Sequence, residues 1–288
     1  MQFAPCRGDN MAGTVEPFKM TAFKFEKLDN GTLLQFVKNY DMLSVWSSLL
    51  YVVVIFGAQW IMQRKEKYDL SSALTLWSGM LALFSVIGTV RMWPEIIHVL
   101  RYEGLYHSSC VASYMEHPAT QFWAGLFTLS KIIELGDTMF IVLRKKPLIF
   151  LHWYHHISAL LYTWYSFPNK ISYGRWFICL NFAAHAIMYS YYTLRAMKIR
   201  VPNKIRMSIT LFQLIQMVIG CLINFYVYSV KKQGHYCEVS VRNIGYSFAM
   251  YFSYFVLFAK FFYDSYINVP SRAAVSLTEE KKQLRKAQ

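Results

Sequence analysis

Seven stretches of about 20 mostly apolar residues run through this chain, and they constrain its fold more than any other feature. At a rise of about 1.5 Å per residue, a helix of this length crosses about 30 Å of hydrocarbon. The stretches comprise residues 42–62, 72–90, 122–143, 148–165, 176–194, 205–230 and 243–267. We therefore predict an all-α polytopic membrane protein with seven transmembrane helices.

The composition supports a membrane protein and argues against a soluble domain or a nucleic-acid-binding protein. The chain is 55% hydrophobic and 18% aromatic, which is more than a soluble domain carries. Its formal net charge of +14 would suggest nucleic-acid binding in a soluble protein. Here the basic residues concentrate in short links between apolar stretches, so we expect a lipid bilayer and no nucleic acid as the partner.

The same basic residues predict the orientation, because Lys and Arg near span ends are retained on the cytoplasmic side. They are concentrated after the first, third and fifth spans and in the C-terminal tail. This pattern predicts a lumenal tail at residues 1–41, a membrane domain at 42–267 and a cytosolic basic tail at 268–288. Residues 1–41 contain no apolar core of a cleavable signal peptide, so we expect the first span to act as the insertion signal.

Two further features lie on the side predicted to be lumenal. The sequon Asn30-Gly31-Thr32 predicts glycosylation at Asn30. Cys110 and Cys237 lie in two different loops on that side, where an oxidising compartment allows them to pair. We predict a disulfide between them, with two free thiols as the alternative.

Polar side chains inside four consecutive spans carry the functional information, because an ionisable group at mid-bilayer costs roughly 3 kcal/mol or more. Within each span they recur every three or four positions and at similar depths, which places them on one helical face and in one layer. They are Lys131, Glu134, Asp137, Thr138, His152, His155, His156, Asn181, His185, Tyr189, Tyr192, Thr210, Gln213 and Gln216. We predict one buried site open to the cytoplasm, with plain interhelical hydrogen bonding as the alternative.

Four motifs on these spans resemble the signature boxes of the fatty-acid elongases of the endoplasmic reticulum. They are KIIELGDT at residues 131–138, HWYHH at 152–156, NFAAHAIMYSYY at 181–192 and TLFQLIQ at 210–216. The resemblance implies a barrel of spans two to seven around a narrow acyl tunnel. It also implies condensation of a long-chain acyl-CoA with malonyl-CoA to 3-oxoacyl-CoA, CoA and carbon dioxide, with no cofactor beyond the CoA thioester substrates.

The resemblance assigns the nucleophile to the middle histidine of the second box, His155. A neutral imidazole is a competent nucleophile near pH 7, and an acyl-imidazole is a reactive acyl donor. We expect His185 to stabilise an oxyanion or move protons, and His152 and His156 to orient and tune the site.

The remaining polar groups of the boxes have supporting roles in this interpretation. Asn181 and Gln213 are candidate donors to carbonyl oxygens. Glu134 and Asp137 are expected to hold histidine tautomers or to pair with Lys131.

Substrate binding is expected at the cytoplasmic rim, because the phosphates of CoA cannot enter hydrocarbon. The candidate groups are Arg144, Lys145, Lys146, Lys204, Arg206, Lys260, Tyr189 and Tyr192. The alternative for the basic residues is that they only enforce the orientation. Lys260 is expected to face the interior, with an ion pair to Asp264 as its alternative.

Two other classes of protein compete with this interpretation. A metal-dependent membrane oxygenase or desaturase shares the HxxHH motif but needs about eight His or carboxylate ligands for a metal pair. Four of the eight histidines, His98, His107, His117 and His235, lie in predicted lumenal loops. A seven-span receptor or transporter explains the topology but not the shared depth of the boxes.

The residues of the boxes most resemble those of elongases that act on saturated or monounsaturated chains, and polyunsaturated and branched chains remain alternative substrates. The final residues, 285–288, resemble a dilysine-type retrieval signal and support endoplasmic-reticulum residence. We expect the reductases and the dehydratase of an elongation cycle as partners, and a homodimer stays open.

Overall fold

The computed structural model describes residues 18–27 and 31–268, and every regular element in those ranges is helical. The helices are α1 (Lys24–Lys27), α2 (Thr32–Asn39), α3 (Leu43–Met62), α4 (Ser71–Tyr102), α5 (Gly104–Cys110), α6 (Pro118–Glu134), α7 (Asp137–Leu143), α8 (Phe150–Ser166), α9 (Gly174–Ala196), α10 (Asn203–Lys232) and α11 (Val241–Phe262). A 3₁₀ turn at Ser113–Met115 and a π turn at Tyr263–Ile267 complete them. Asn30 and the C-terminal tail from residue 269 lie outside the described residues.

Each of the seven predicted spans coincides with helix in this structure. Span three is divided between α6 and α7, and the others correspond to α3, α4, α8, α9, α10 and α11. Within the described ranges, four helices are long and apolar enough to cross a membrane by length and composition: α3, α4, α10, and α11 with its π turn. The described part of the chain is therefore all-helical, with several membrane-compatible helices.

Helix α4 is longer than the predicted second span, which was expected to end at residue 90. It continues through Pro94, where a proline costs the helix one backbone hydrogen bond. Met92, Ile96 and Val99 stay buried beyond the predicted end, so apolar packing supports the extension. Arg91 and His98 consequently lie on the helix and not in a loop as expected.

Span three is interrupted at Leu135 and Gly136, where the sequence predicts a continuous helix. The two backbone N–H groups here bond three residues back, to Ile132 at 3.3 Å and Ile133 at 2.9 Å. A Cβ on Gly136 would lie 2.7 Å from the ring of Trp77, so only glycine admits that ring. The tightened turn begins α7 at the next residue and turns its first side chains toward α3 and α4.

The helices pack in a fixed order of neighbours. α4 lies along α9, α9 contacts α10, and α10 lies along α11. α11 contacts α8, α8 contacts α6, and α6 contacts α4. α3 packs against α7 and α8. The packed core includes an aromatic cluster of α4, α6 and α9, where Phe84, Trp123, Phe127 and Phe182 meet edge to face or tilted.

The end of the bundle opposite the α8 N-terminus is held by a disulfide and a buried ion pair. The disulfide joins Cys110 at the end of α5 to Cys237 in the α10–α11 loop, with 4.3 Å between their Cα atoms. Glu26 of α1 is buried and lies 2.6 Å from Arg91. The same carboxylate accepts a hydrogen bond from the Trp123 indole at 2.8 Å. These contacts tie the segment before α2 to α4 and α6.

Candidate active site

A cavity of about 620 Å³ lies among α4, α7, α8, α9, α10 and α11. The four histidines of the predicted spans line it together: His152, His155, His156 and His185. Other predicted site residues share its wall: Asp137, Asn181, Tyr189, Tyr192, Gln213, Thr210 and Gln216. The structure thus brings all four boxes to one cavity, which plain interhelical hydrogen bonding does not require.

Lys131 and Glu134 lie behind the cavity wall as a buried ion pair. Lys131 Nζ is 2.8 Å from Glu134 Oε1 and 3.0 Å from its Oε2, and both side chains are nearly inaccessible. Lys131 also donates to Asn181 Oδ1 at 2.9 Å. Ser130 donates to the same carboxylate at 2.9 Å. Extra partners of this kind are what a buried charge pair needs.

This ion pair orients His185. Lys131 can only donate, so Asn181 must present its oxygen to Lys131 and its NH₂ group to His185 Nε2, 3.3 Å away. His185 Nε2 then accepts, and the imidazole proton resides on Nδ1. Nδ1 lies 3.7 Å from Glu134 Oε1, which is an electrostatic contact and longer than a hydrogen bond. Glu134 thus pairs with Lys131, which is one of the two alternatives expected of it, and it faces His185 without a hydrogen bond.

Asp137 has different partners from those expected. Its Oδ1 accepts a hydrogen bond from the Trp77 indole at 2.6 Å, and its Oδ2 accepts from the Tyr189 hydroxyl at 2.6 Å. The expectation that Asp137 holds a histidine or pairs with Lys131 is wrong, because both carboxylate oxygens bond to aromatic side chains instead. The turn at Gly136 aims the carboxylate at α4 and α9 instead.

His152 bonds to the first of two linked hydroxyl groups, those of Thr138 and Tyr51. Its Nε2 is 2.9 Å from Thr138 Oγ1, and Thr138 Oγ1 is 2.7 Å from the Tyr51 hydroxyl. The His152 ring also contacts His156 edge to face at 4.5 Å between centroids. Tyr51 belongs to α3, so the first span reaches a histidine of the second box.

His155 is supported through its backbone and its ring face. Tyr254 of α11 donates to the His155 carbonyl at 3.2 Å, and its ring centroid lies 4.8 Å from the imidazole. Tyr254 also shares a 2.7 Å hydrogen bond with Ser158. The imidazole nitrogens of His155 hydrogen-bond to none of the described residues. The ring is therefore positioned while its nitrogens stay available.

The amide of Gln213 has a weak partner. Its Nε2 donates to the Met188 sulfur at 3.3 Å, and sulfur is a poor acceptor. Because Gln213 lines the cavity, this amide can exchange that contact for a carbonyl oxygen.

Basic residues stand on the side of the cavity where α8 and α10 begin. Arg144, Lys146 and Arg206 line the cavity, as does Arg195, which was not a predicted site residue. Lys145 and Lys204 are exposed and do not line it. The expectation that Lys260 faces the interior is wrong, because its side chain is 73% exposed and pairs with Asp264 at 3.0 Å.

Besides Arg195, three aromatic residues that contact the site were not predicted from the sequence: Tyr51, Trp77 and Tyr254. They lie on spans one, two and seven, which carry none of the boxes. An aromatic residue in an apolar run normally indicates core or lipid contact. The sequence signal that could have found them is the hydroxyl or N–H group of each ring, since a buried Tyr or Trp needs a hydrogen-bond partner.

Within residues 18–27 and 31–268, no three His, Cys, Asp or Glu side chains are arranged to hold a metal ion. Two of the four histidines have a hydrogen-bond partner at Nε2, which is Thr138 for His152 and Asn181 for His185. That no cofactor is needed stays a prediction.

The fold and the site together define a helical membrane protein with a buried, histidine-lined cavity that is rimmed by arginines. The sequence profile of the family described as ELO: GNS1/SUR4 family matches residues 36–274. The chain belongs to this family, and the resemblance drawn from the four boxes is confirmed.

Curated relatives match this chain in sequence over most of their length. A very long chain fatty acid elongase 6 from Drosophila melanogaster is 48% identical over 90% of this chain and 83% of its own length. The protein of that name from Gallus gallus is 46% identical over 87% of this chain and 95% of its own. A very long chain fatty acid elongase 3 from Homo sapiens is 41% identical over 83% of this chain and 88% of its own.

Proposed function

We propose that this chain condenses a long-chain acyl-CoA with malonyl-CoA, giving 3-oxoacyl-CoA, free CoA and carbon dioxide. The observation that carries the proposal is the single cavity in which four histidines meet a rim of arginines. The names of its relatives, very long chain fatty acid elongases, support the same class of reaction. The reaction would be the first step of a fatty-acid elongation cycle.

The first half-reaction transfers the acyl group to His155. The unprotonated ring nitrogen attacks the thioester carbonyl carbon, the C–S bond breaks, and the departing CoA thiolate takes up the proton from the second ring nitrogen. His155 suits this role because its ring nitrogens have no partner among the described residues. His152 and His185 each have a contact at Nε2.

The second half-reaction makes the new carbon–carbon bond. Malonyl-CoA loses its carboxylate as carbon dioxide, and the electrons of the broken bond form an enolate that attacks the acyl carbonyl. The C–N bond to His155 then breaks, the released imidazole nitrogen takes up a proton from water, and the 3-oxoacyl-CoA leaves. The developing oxyanion needs hydrogen-bond donors, and the amides of Asn181 and Gln213 line the same cavity.

The charges of the cavity support one substrate orientation. The CoA phosphates would bind Arg144, Lys146 and Arg206 at the rim, because they cannot be desolvated in the interior. The acyl tail would extend the opposite way, toward Asn181 and Met217 on the inner wall. The residues of the four boxes favour saturated and monounsaturated chains as substrates.

We further propose that all seven predicted spans cross the membrane and that spans two to seven form a barrel around an acyl tunnel. The order of helix contacts supports this, because it runs from α4 through α9, α10, α11, α8 and α6 back to α4. α3 would then lie outside the barrel. α6 and α8 are each 17 residues long, which is short for a span, and α9 carries a polar box that lowers its hydropathy, so length and composition alone do not select these three helices.

The proposed location is the endoplasmic-reticulum membrane, with the N-terminus in the lumen, the C-terminus in the cytosol, and the reductases and dehydratase of the cycle nearby. The disulfide supports a lumenal position for its two loops. Endoglycosidase treatment of Asn30 and protease treatment of a C-terminally tagged chain in sealed microsomes test the orientation. A protease-protected tail would contradict it.

The activity is tested with the purified full chain, radiolabelled malonyl-CoA and a panel of acyl-CoA lengths. We expect label in 3-oxoacyl-CoA, with one molecule of carbon dioxide released for each product. Pretreatment with a chelator should leave the rate unchanged. Failure to incorporate label would contradict the proposed function, and loss of activity on chelation would favour the metal-dependent alternative.

A further inference from the structure

Tyr51 is a buried polar group that the reaction above does not use. It lies on α3, which packs against α7 and α8, and its side chain is almost inaccessible. Its hydroxyl lies 2.7 Å from Thr138 Oγ1. Thr138 is itself fully buried, and its hydroxyl lies 2.9 Å from His152 Nε2. Three polar groups from α3, α7 and α8 therefore form one continuous chain.

The direction of this hydrogen-bond chain follows from the partners available. Among the described residues, Thr138 is the only hydrogen-bond partner of the Tyr51 hydroxyl. If Thr138 donated to Tyr51, the phenolic proton would be buried with no acceptor, which is unfavourable. Tyr51 therefore donates to Thr138. The single proton of Thr138 then goes to His152 Nε2.

This direction determines the tautomer of His152. A neutral imidazole that accepts at Nε2 carries its proton on Nδ1. Nδ1 of His152 has no partner among the described residues and is not one of their buried unpartnered atoms. Because His152 lines the cavity, its Nδ1–H is open to a group bound there.

We propose that Tyr51 is a positioning residue that acts through Thr138 to hold His152 as a hydrogen-bond donor toward the acyl carbonyl oxygen. The proposal rests on the proposed function for the identity of that oxygen. It makes the first span part of the active site and leaves His152 as the residue that touches substrate. The tautomer itself is independent of the substrate and can be measured without it.

The first experiment measures the tautomer in the full chain with ¹⁵N-labelled histidine. The ¹⁵N shifts of the two ring nitrogens distinguish a protonated from an unprotonated nitrogen, and His152→Gln identifies the signals of His152. We expect His152 to carry its proton on Nδ1. Tyr51→Phe should remove that preference, because Thr138 can then turn its proton away. A proton on Nε2 in the wild type, or unchanged signals in Tyr51→Phe, would overturn the proposal.

The second experiment measures acyl transfer from acyl-CoA alone, across a pH series. The loss of one neutral hydrogen bond predicts about a three- to tenfold slower acyl transfer for Tyr51→Phe at saturating acyl-CoA, with the acyl-CoA concentration for the half-maximal rate nearly unchanged. Ser48→Ala is the matched control, since Ser48 is buried one turn earlier on α3 and, among the described residues, its hydroxyl bonds to the Ser44 carbonyl alone. It should retain the wild-type rate and tautomer. Equal rates for Tyr51→Phe and wild type would overturn the proposal.

Two variants of Thr138 keep the proposal testable if Tyr51→Phe does not fold. Thr138→Val removes the hydroxyl at constant shape, and Thr138→Ser retains it. We expect Thr138→Val to remove the preference of His152 for a proton on Nδ1 and to slow acyl transfer. Thr138→Ser should keep both the preference and the wild-type rate. Equal behaviour of the two would overturn the proposal. The predicted tautomer in a wild-type chain without condensation activity would instead contradict the proposed function.

Discussion

The indole nitrogen of Trp77 lies 2.6 Å from Oδ1 of Asp137, and this hydrogen bond joins α4 to the first residue of α7. Tyr189 of α9 donates to the other oxygen of the same carboxylate. Gly136 precedes it and leaves room for the Trp77 ring. Three helices thus meet on one carboxylate in the cavity wall, and we expect it to hold the wall in shape.

Replacement of Asp137 by Asn should destabilise the protein. The amide keeps one acceptor, so either Trp77 or Tyr189 loses its partner in a buried place, at a cost of about 1–3 kcal/mol. Thermal unfolding in detergent should show a lower midpoint. Asp264→Asn is the control, because its ion pair is exposed and worth little. Equal midpoints for the two variants would contradict the role given to Asp137.

Replacement of Arg206 by Gln should weaken substrate binding. Arg206 lines the cavity rim, so its loss should raise KM for acyl-CoA severalfold while kcat changes less. Lys260→Gln removes the same charge from a side chain paired outside the cavity and should leave KM unchanged. Steady-state kinetics at fixed ionic strength measures both. If the two variants raised KM alike, net charge and not a bound phosphate would explain the effect.

Replacement of Met217 by Ala should lengthen the product. Met217 is the cavity-lining residue of α10 that is farthest along the helix from Arg206, and a smaller side chain there leaves room for more methylenes of the acyl tail. Chromatography of products from a mixture of acyl-CoA lengths measures the shift. Val227→Ala, a buried truncation further along α10 outside the cavity, is the control and should change stability alone. Trp123 does not line the cavity, so its truncation should resemble the control.

Reduction of the disulfide between Cys110 and Cys237 should lower stability. The bond closes a sequence separation of 127 residues, and loss of such a crosslink typically costs about 2–5 kcal/mol. Peptide mapping without reductant should recover these two cysteines as one linked pair. Cys179 and Cys221 serve as internal references, since both are free thiols. Alkylation of both Cys110 and Cys237 without reductant would show that the pair is open in the protein.

Much of the site could be predicted because its chemistry is concentrated on helical faces. His152, His155 and His156 follow one another on α8, and Asn181 and His185 are one turn apart on α9. Ionisable groups in apolar spans are costly, so such patterns indicate function. The shared depth of the spans then predicts a single site, and the cavity contains these residues.

The remaining features depend on contacts between distant segments, which spacing along one helix does not reveal. Trp77 reaches Asp137 only because Gly136 tightens a turn that hydropathy predicts as continuous helix. Tyr51 reaches Thr138 across 87 positions of sequence. The position of Lys260 in an apolar span predicts that it faces the interior, yet its long side chain extends outward to Asp264.

The acyl-enzyme on His155 is the central claim, and intact-mass spectrometry after incubation with acyl-CoA alone tests it most directly. We predict release of CoA and a mass increase of one acyl group in the wild type, retained in the control His235→Ala, whose side chain lies in an exposed loop. His155→Ala should show neither, with an unchanged thermal unfolding midpoint. No adduct in the wild type, or the same adduct in His155→Ala, would contradict the mechanism.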